Sequence, residues 1–343
     1  MTSTHSTSAP SFGGRAVPAV YVLHENEEWM PPFRAAFEAA GVPLVEWEVT
    51  GGSLDLTQEP PQGIFWSRMS ASSHTRDHGH AKEYTRAVLD WLEAWGRTVI
   101  NGHRVLEIEV SKVAQYVKLA AAGFDVPRTV AVFGTADLKE RAREFSAPFI
   151  VKHNQGGKGL GVTRFDSHHD FHMFLDNGFL EAPVDGVTLV QEYLETAEPH
   201  ISRAEFVGGQ HVYTVNVDTT GGSFQLCPAD GCALPEPGAP VVSRFTVRPD
   251  GADMTIVERY RAFLAEQGIG IAGIEFLETT DGRLVTYDIN TNTNYNPDAE
   301  ATVDIGGPLA IARFTGRLLH EAYPETAGAD IPVAPTGRED AHA

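Results

Sequence analysis

Three stretches of the chain carry residue types whose spacing could do chemistry. In the first, the apolar run Phe149-Ile-Val ends in Lys152 and leads into His153-Asn-Gln155-Gly156-Gly157-Lys158-Gly159-Leu-Gly161. Four glycines within six residues let backbone N–H groups turn toward an anion without Cβ obstruction, and Lys152 and Lys158 supply charge beside them. That combination fits a polyphosphate; taken alone, the loop also fits a flexible hairpin turn. In the second, Val190-Gln191-Glu192-Tyr193-Leu194-Glu195 ends an apolar strand and enters a polar linker. An extended backbone at such a lip can read a purine edge through its own N–H and C=O groups, although an ordinary strand end is the plainer reading of these letters. In the third, Glu275 and Asp288 fall on two strands joined across Asp281-Gly282, a strong hairpin signal. Asp288 and Asn290 are two apart and share a face. Two carboxylates and an amide oxygen on one face suit Mg²⁺, which takes carboxylates together with substrate phosphates. Without a cation the carboxylates would repel and one would keep its proton. Apolar neighbours (Ile274, Phe276, Tyr287, Ile289) favour a semi-buried site over a solvated strand end.

Other patterns fail on context. Gly268-Ile-Gly270-Ile-Ala-Gly273 matches the dinucleotide fingerprint by letter, but a helix precedes it and a strand follows, the inverse of what that motif needs. It reads as a helix cap and a tight entry into a strand. Lys158 is followed by glycine where a P-loop needs Ser or Thr. His74, His78 and His80 sit in a polar stretch that reads as a solvated loop before it reads as a metal site. Cys227 and Cys232 read as two ordinary thiols or a local bridge. Arg68, in a polar segment after a short apolar run, could pair with a substrate carboxylate in bidentate fashion; a surface arginine fits equally.

The elements that must position these residues follow from periodicity. Strands are expected over 16–23, 42–49, 64–66 and 97–100, with helices over 30–40 and 81–95, each closed by a glycine. Such alternation predicts a small parallel α/β lobe over 15–100. A second lobe, 101–185, is expected to hold a helix over 109–122, a strand over 128–133, a helix over 135–145 capped by Thr135, and strands over 148–152 and 160–165. Ser167 and Asp170 form the two halves of a capping box. From 187 the pattern becomes antiparallel: 187–194, a hairpin through Gly208-Gly209, a helix over 252–267, the hairpin carrying the acidic pair, and a helix over 307–320. This third lobe spans 186–325. Segments 1–14 and 326–343 read as loose tails, the first lacking the apolar region of a secretion signal.

The 343 residues are 42% hydrophobic and 21% charged, ample for a globular core. A net charge of −20 disfavours bulk binding to nucleic acid or an anionic membrane, and no run approaches the roughly 18 apolar residues of a membrane span. A cytoplasmic enzyme is the default expectation.

Lys152 with its glycine loop, the Gln191–Glu195 strand and the Glu275/Asp288/Asn290 set resemble, in that order, the ATP-grasp ligases. The resemblance covers about 101–320, and the preceding α/β lobe looks like the N-terminal lobe of that family. Ser111-Lys112 and Gly123-Phe-Asp-Val-Pro127-Arg-Thr129 look most like its RimK-like branch, which joins amino acids or peptides. The implied fold is α/β (α+β): a parallel N-terminal lobe, then two lobes with antiparallel sheets clasping the nucleotide. The resemblance implies that Lys112 and Lys152 contact the ATP phosphates, with Gln155, Gly156, Gly157, Lys158, Gly159 and Gly161 folding over them. Glu192 and Leu194 would hold adenine, chiefly by backbone, with Gln191 and Tyr193 also binding the nucleotide, and Glu195 or His200 would hold the ribose. Arg203 would face phosphate or substrate and act with Lys152 in catalysis. Glu275, Asp288 and Asn290 would bind one or two Mg²⁺, or Mn²⁺; Asp288 stands where glutamate is usual. Asn292 and Asn294 extend that face toward substrate, with Arg68. The implied activity is an ATP-dependent carboxylate–amine ligase working through an acyl phosphate. A small-molecule kinase and a silent nucleotide-binding protein are the alternatives. Its partners would be a small carboxylate and an amine, with a homodimer compatible with the family.

Overall fold

A computed structural model describes residues 17–157, 159, 161–220, 244–248 and 254–324. The expectations for the two tails, for Lys158 and for Cys227 and Cys232 lie outside the described residues.

The first lobe comprises β1 (Ala19–His24), α1 (Pro31–Ala39), β2 (Leu44–Glu48), β3 (Gly63–Arg68), α2 (Ala81–Ala94) and β4 (Thr98–Ile100). Its strands form a parallel sheet in the order β2-β1-β3-β4. Every residue of β1 and β3 is buried, as expected where helices cover both faces. Alternate side chains divide between the two layers. Tyr21, Leu23 and Phe65 pack with Val88, Leu89 and Leu92 of α2. Val20, Val22, Ile64 and Trp66 pack with Phe33 and Phe37 of α1, and with Ile311 and Ala312 of a helix from the far end of the chain. Burying each such side chain contributes about 1.5–3 kcal/mol.

The second group comprises α3 (His103–Glu109), α4 (Lys112–Ala121), β5 (Thr129–Phe133), α5 (Leu138–Ala142), β6 (Phe149–His153), β7 (Thr163–Phe165), α6 (His168–Asp176) and β8 (Val187–Glu192). The helix expected over 109–122 is α4, which begins only at Lys112, and α3 before it was not expected. Ser111 splits them, because its side chain accepts from the N–H of Ala114 and caps α4. The helix expected from Thr135 begins only at Leu138; Thr135 stays in the turn before it, its carbonyl accepting from Leu138 N. Ser167 caps α6 as expected, accepting from Asp170 N. The strand expected to open the third lobe, β8, instead pairs antiparallel with both β5 and β6, giving the sheet order β5-β8-β6-β7. Periodicity specifies a strand but not its partners, which is why the change of sheet falls after this strand and not before it.

The last group comprises β9 (His200–Val207), β10 (Gln210–Asp218), β11 (Phe245–Val247), α7 (Met254–Gln267), β12 (Ile271–Glu278), β13 (Leu284–Asn290), α8 (Pro297–Glu300) and α9 (Gly307–Ala322). The sheet runs β11-β10-β9-β12-β13, antiparallel throughout. Both expected hairpins form. Gly208 and Gly209 turn the first with positive φ (57° and 76°), and Gly282 (80°) helps turn the second. Gly268 (72°) closes α7, so the inverted glycine motif is the cap and strand entry that its context predicts.

The two antiparallel sheets each cover one face with helices. Ala204, Phe206, Ile274 and Phe276 pack on Val257, Tyr260 and Phe263 of α7. Phe149, Val151 and Val190 pack with Ala142 and Phe171 of α5 and α6. The strand period of two then sends Arg203, Glu205 and Glu275 from one sheet, and Ile150, Lys152 and Gln191 from the other, toward the faces opposite these helices.

Candidate active site

Lys152 is the last residue but one of β6, and its Nζ donates to the hydroxyl of Tyr116 at 2.7 Å. The Tyr116 hydroxyl donates in turn to Gln191 Oε1 at 3.0 Å. Burial and the nearby Lys112 push the Lys152 ammonium down to about 7, against the opposing pull of Asp288 and Glu275. Lys112, at the first turn of α4, forms an ion pair with Asp288. The start of α4 is docked on the residue that follows β6. Lys112 N donates to Asn154 O at 3.2 Å, and Val113 N to Asn154 Oδ1 at 2.8 Å. Gln115 fixes the other side: it donates to Ile289 O (2.9 Å) and accepts from Ile289 N (3.0 Å), between Asp288 and Asn290.

The acidic pair stands as its hairpin predicts, with Glu275 directly opposite Asp288 in the β12–β13 register. An irregularity follows Glu275 in that register. Burial, then Asp288, raises the Glu275 carboxyl, with Arg203 on the neighbouring strand and a hydrogen bond from Tyr287 opposing. Arg203 Nε donates to Glu205 Oε1 at 2.6 Å and its Nη2 to Asn294 O at 2.8 Å. Burial alone would lower this guanidinium, but Glu205 and Glu275 outweigh it and hold it charged. Asn290 Oδ1 accepts from Asn292 N at 3.2 Å. Two carboxylates and an amide oxygen, hard donors already drawing a lysine ammonium into their midst, fit a divalent cation such as Mg²⁺.

These groups share one cavity of about 450 Å³, within the range of small-molecule sites. Its walls include Lys112, Lys152, Gly156, Gly157, Gly159, Gln191, Tyr193 and Leu194, and also Arg203, Glu275, Asp288, Asn290, Asn292 and Asn294. The glycine loop and the acidic pair therefore face each other across it. Pro127, Ile150, Leu194 and Leu277 make one part apolar, while Ser70, Ser72 and Trp29 bring in the first lobe.

Among the described residues, six expected ones are not part of this wall. Arg68 is buried (2% exposed) behind it, over the Phe33 ring at 4.1 Å, donating to Thr293 O (3.0 Å) and Asn294 Oδ1 (2.9 Å). It holds the wall from behind, where sequence reading placed it against substrate; burial lowers it to about 9. Gln155 is turned to the first lobe, accepting from Lys82 Nζ (2.8 Å) and donating to Ala71 O (3.3 Å). Gly161 lies under the His153 ring. Glu192 and Glu195 line a second hollow, with Arg128 and Arg283, and Glu192 Oε1 accepts from Arg128 N. His200 opens β9 opposite Asp218. Sequence reading missed Tyr116, Tyr287 and Glu109. Tyr116 had a usable signal, standing four residues after Lys112 on one helix face; Tyr287 passed as an apolar neighbour. Glu109 accepts from Thr291 N (2.7 Å) and Oγ1 (2.8 Å). The three loop histidines do not form a metal-ligating group among the described residues. The grouping of ligand type found there, His24 with Glu27 and Glu46, already has both carboxylates held by Arg34.

No family model matches the chain. A probable alpha-L-glutamate ligase of Enterobacter sp. (strain 638) is 27% identical over 230 residues, 66% of this chain and 70% of that one. The RimK domain ATP-grasp protein of Sphaerobacter thermophilus has a similar structure, with a TM-score of 0.62 at 16% identity over 86% of this chain and 98% of that one. The ATP-grasp ligase PsnB, complexed with minimal precursor, Mg and ADP, gives 0.58 at 14% identity over 91% and 100%. These likenesses show the ATP-grasp fold. In sequence the chain is similar to RimK-type glutamate ligases, which supports an ATP-dependent carboxylate–amine ligase. Among the described residues no helix is long and apolar enough to cross a membrane.

Proposed function

We propose that the cavity binds ATP and activates the carboxylate of an amino acid or small peptide for attack by an amine. Adenine occupies the apolar part beside Ile150, Leu194 and Leu277, with the triphosphate between Lys152, Lys112 and the glycine loop. Glu275, Asp288 and Asn290 would hold Mg²⁺, which when bound supplies charge neutralisation at the phosphates. The acid lies toward Arg203, Asn292 and Asn294. Its carboxylate oxygen attacks the γ-phosphorus, the bond to the bridging oxygen breaks, and ADP leaves. An amine then attacks the acyl carbon of the resulting acyl phosphate, the C–O bond breaks, the nitrogen loses a proton, and phosphate departs carrying it. Arg203, buried and kept charged, stands where negative charge develops on the acyl oxygen. The glycine loop, the first-lobe serines and Trp29 enclose the site and limit water, to which an acyl phosphate is vulnerable.

The observation that carries this reading is the convergence of Lys152, its glycine loop and the Glu275/Asp288/Asn290 set on one cavity. The test is a phosphate-release screen with amino acids and dipeptides paired as acid and amine, followed by mass spectrometry. The expected product weighs the sum of acid and amine less one water, and steady ADP release needs both. A stable phosphorylated acceptor without an amide would replace the ligase reading with a kinase. Asp288→Ala is expected to abolish turnover with an unchanged melting profile; retained turnover would remove the assigned metal site.

A further inference from the structure

Lys152 differs from the other long cations of the cavity wall in what it touches. Among the described residues, Lys112 pairs with Asp288, Arg164 with Asp166 and Arg203 with Glu205. The hydrogen-bond partner of Lys152 is a neutral phenol. A carboxylate in that place would cancel the charge of the lysine and repel an arriving phosphate. A phenol accepts a hydrogen bond without either effect. With Lys152 charged the direction of the bond follows: an ammonium only donates, so the oxygen of Tyr116 accepts, and its single proton goes to Gln191 Oε1. Burial raises the Tyr116 hydroxyl well above its ordinary range, so it stays protonated. Tyr116 itself is 6% exposed and forms no part of the wall; whatever it does, it does through Lys152 and Gln191, both of which do. It is also rigidly placed. Its helix is docked through Lys112 and Val113 on Asn154, and through Gln115 on the backbone of Ile289.

We propose that Tyr116 is a positioning residue for the nucleotide, its hydroxyl holding the Lys152 ammonium toward the phosphates while leaving the charge of that ammonium available to them. The inference rests on the nucleotide reading of the cavity and adds a residue that reading does not contain.

The experiment is a double-mutant cycle on the full chain, with the affinity for AMPPNP and Mg²⁺ read by calorimetry and folding read by thermal melting. Tyr116→Phe is expected to weaken binding about tenfold, the loss typical of a hydrogen bond to a charged group. In a Lys152→Met background the same substitution is expected to change nothing further, because the hydroxyl then has no ammonium to hold. A purely structural role would instead give losses that multiply, and that result overturns the proposal, as does unchanged affinity in Tyr116→Phe. If Tyr116→Phe melts early, Gln191→Met removes the acceptor of the hydroxyl and takes its place in the cycle, with the same non-additivity expected. Wild-type protein that binds no AMPPNP ends the nucleotide reading and this inference together; wild-type binding with additive losses ends this inference alone.

Discussion

Lys152 meets two opposed demands, since burial disfavours its charge and a phosphate requires it. Its ammonium is lowered from 10.5 to about 7. Between those values the unfolded chain holds the extra proton and the nucleotide-free folded protein does not, so the contribution of this group to stability rises with pH through that window. Nucleotide binding in the same window must take up a proton. Affinity for AMPPNP is therefore expected to fall as pH rises from about 6.5 to about 8.5, and binding heats to vary with the ionisation enthalpy of the buffer. Lys152→Met is expected to lose both dependences; if the variant keeps them, another group titrates. At this scale the sequence was legible wherever local rules fix a position. Glu275, Asp288 and Asn290 were placed by a strand period of two and a turn marked by Asp281-Gly282. Arg68 was not, because the backbone and amide that hold it lie 225 and 226 positions away.

At the scale of elements, type and approximate extent were readable, and partnership was not. The alternation of strand and helix placed the parallel sheet, and paired glycines placed the hairpins. Nothing local distinguished β8 as a strand of the central sheet, since its apolar run suits either neighbour and its partners are chosen by tertiary packing. Helix α3 was not read, nor its split from α4, because the expected helix ran from 109 through Ser111, whose capping bond starts α4 instead. That split starts α4 at Lys112 and so sets the face on which Lys112 and Tyr116 stand. The β9–β10 hairpin shows how far a turn can constrain an element. Gly208 has a φ of 57°, and a Cβ there would lie 2.6 Å from the Phe314 ring of α9. Gly208→Ala combines left-handed strain of about 1 kcal/mol or more with displacement of a packed aromatic ring. It is expected to lower the denaturation midpoint clearly, while Gly209→Ala, with open space around its Cβ, costs only the backbone strain. Equal effects in a urea titration would show that α9 yields without cost.

The whole molecule is held together at one small junction as well as by broad packing. Helix α9, the last among the described residues, lies on the first sheet with α1. Beside that layer, Asn101 leaves β4 with a φ of 55°, a conformation asparagine tolerates better than most side chains. It is 2% exposed, and its amide bonds four backbone groups where β12 begins and β13 ends. Nδ2 donates to Ile271 O (2.9 Å) and Thr291 O (3.1 Å), while Oδ1 accepts from Gly270 N (3.1 Å) and Ile271 N (3.3 Å). Thr291 follows Asn290 and also binds Glu109, so this junction ties the first lobe to the segment that carries the oxygen ligands. Asn101→Ala would strand buried donors and acceptors at about 1–3 kcal/mol for each left without water, and would add left-handed strain. Asn101→Gly removes the same bonds without the strain, and is expected to be the more stable of the two by about 1 kcal/mol. Both variants are expected to lose turnover beyond what their melting explains, because Thr291 is freed next to Asn290. Variants that melt early yet turn over normally would show that the junction holds the lobes without placing the site.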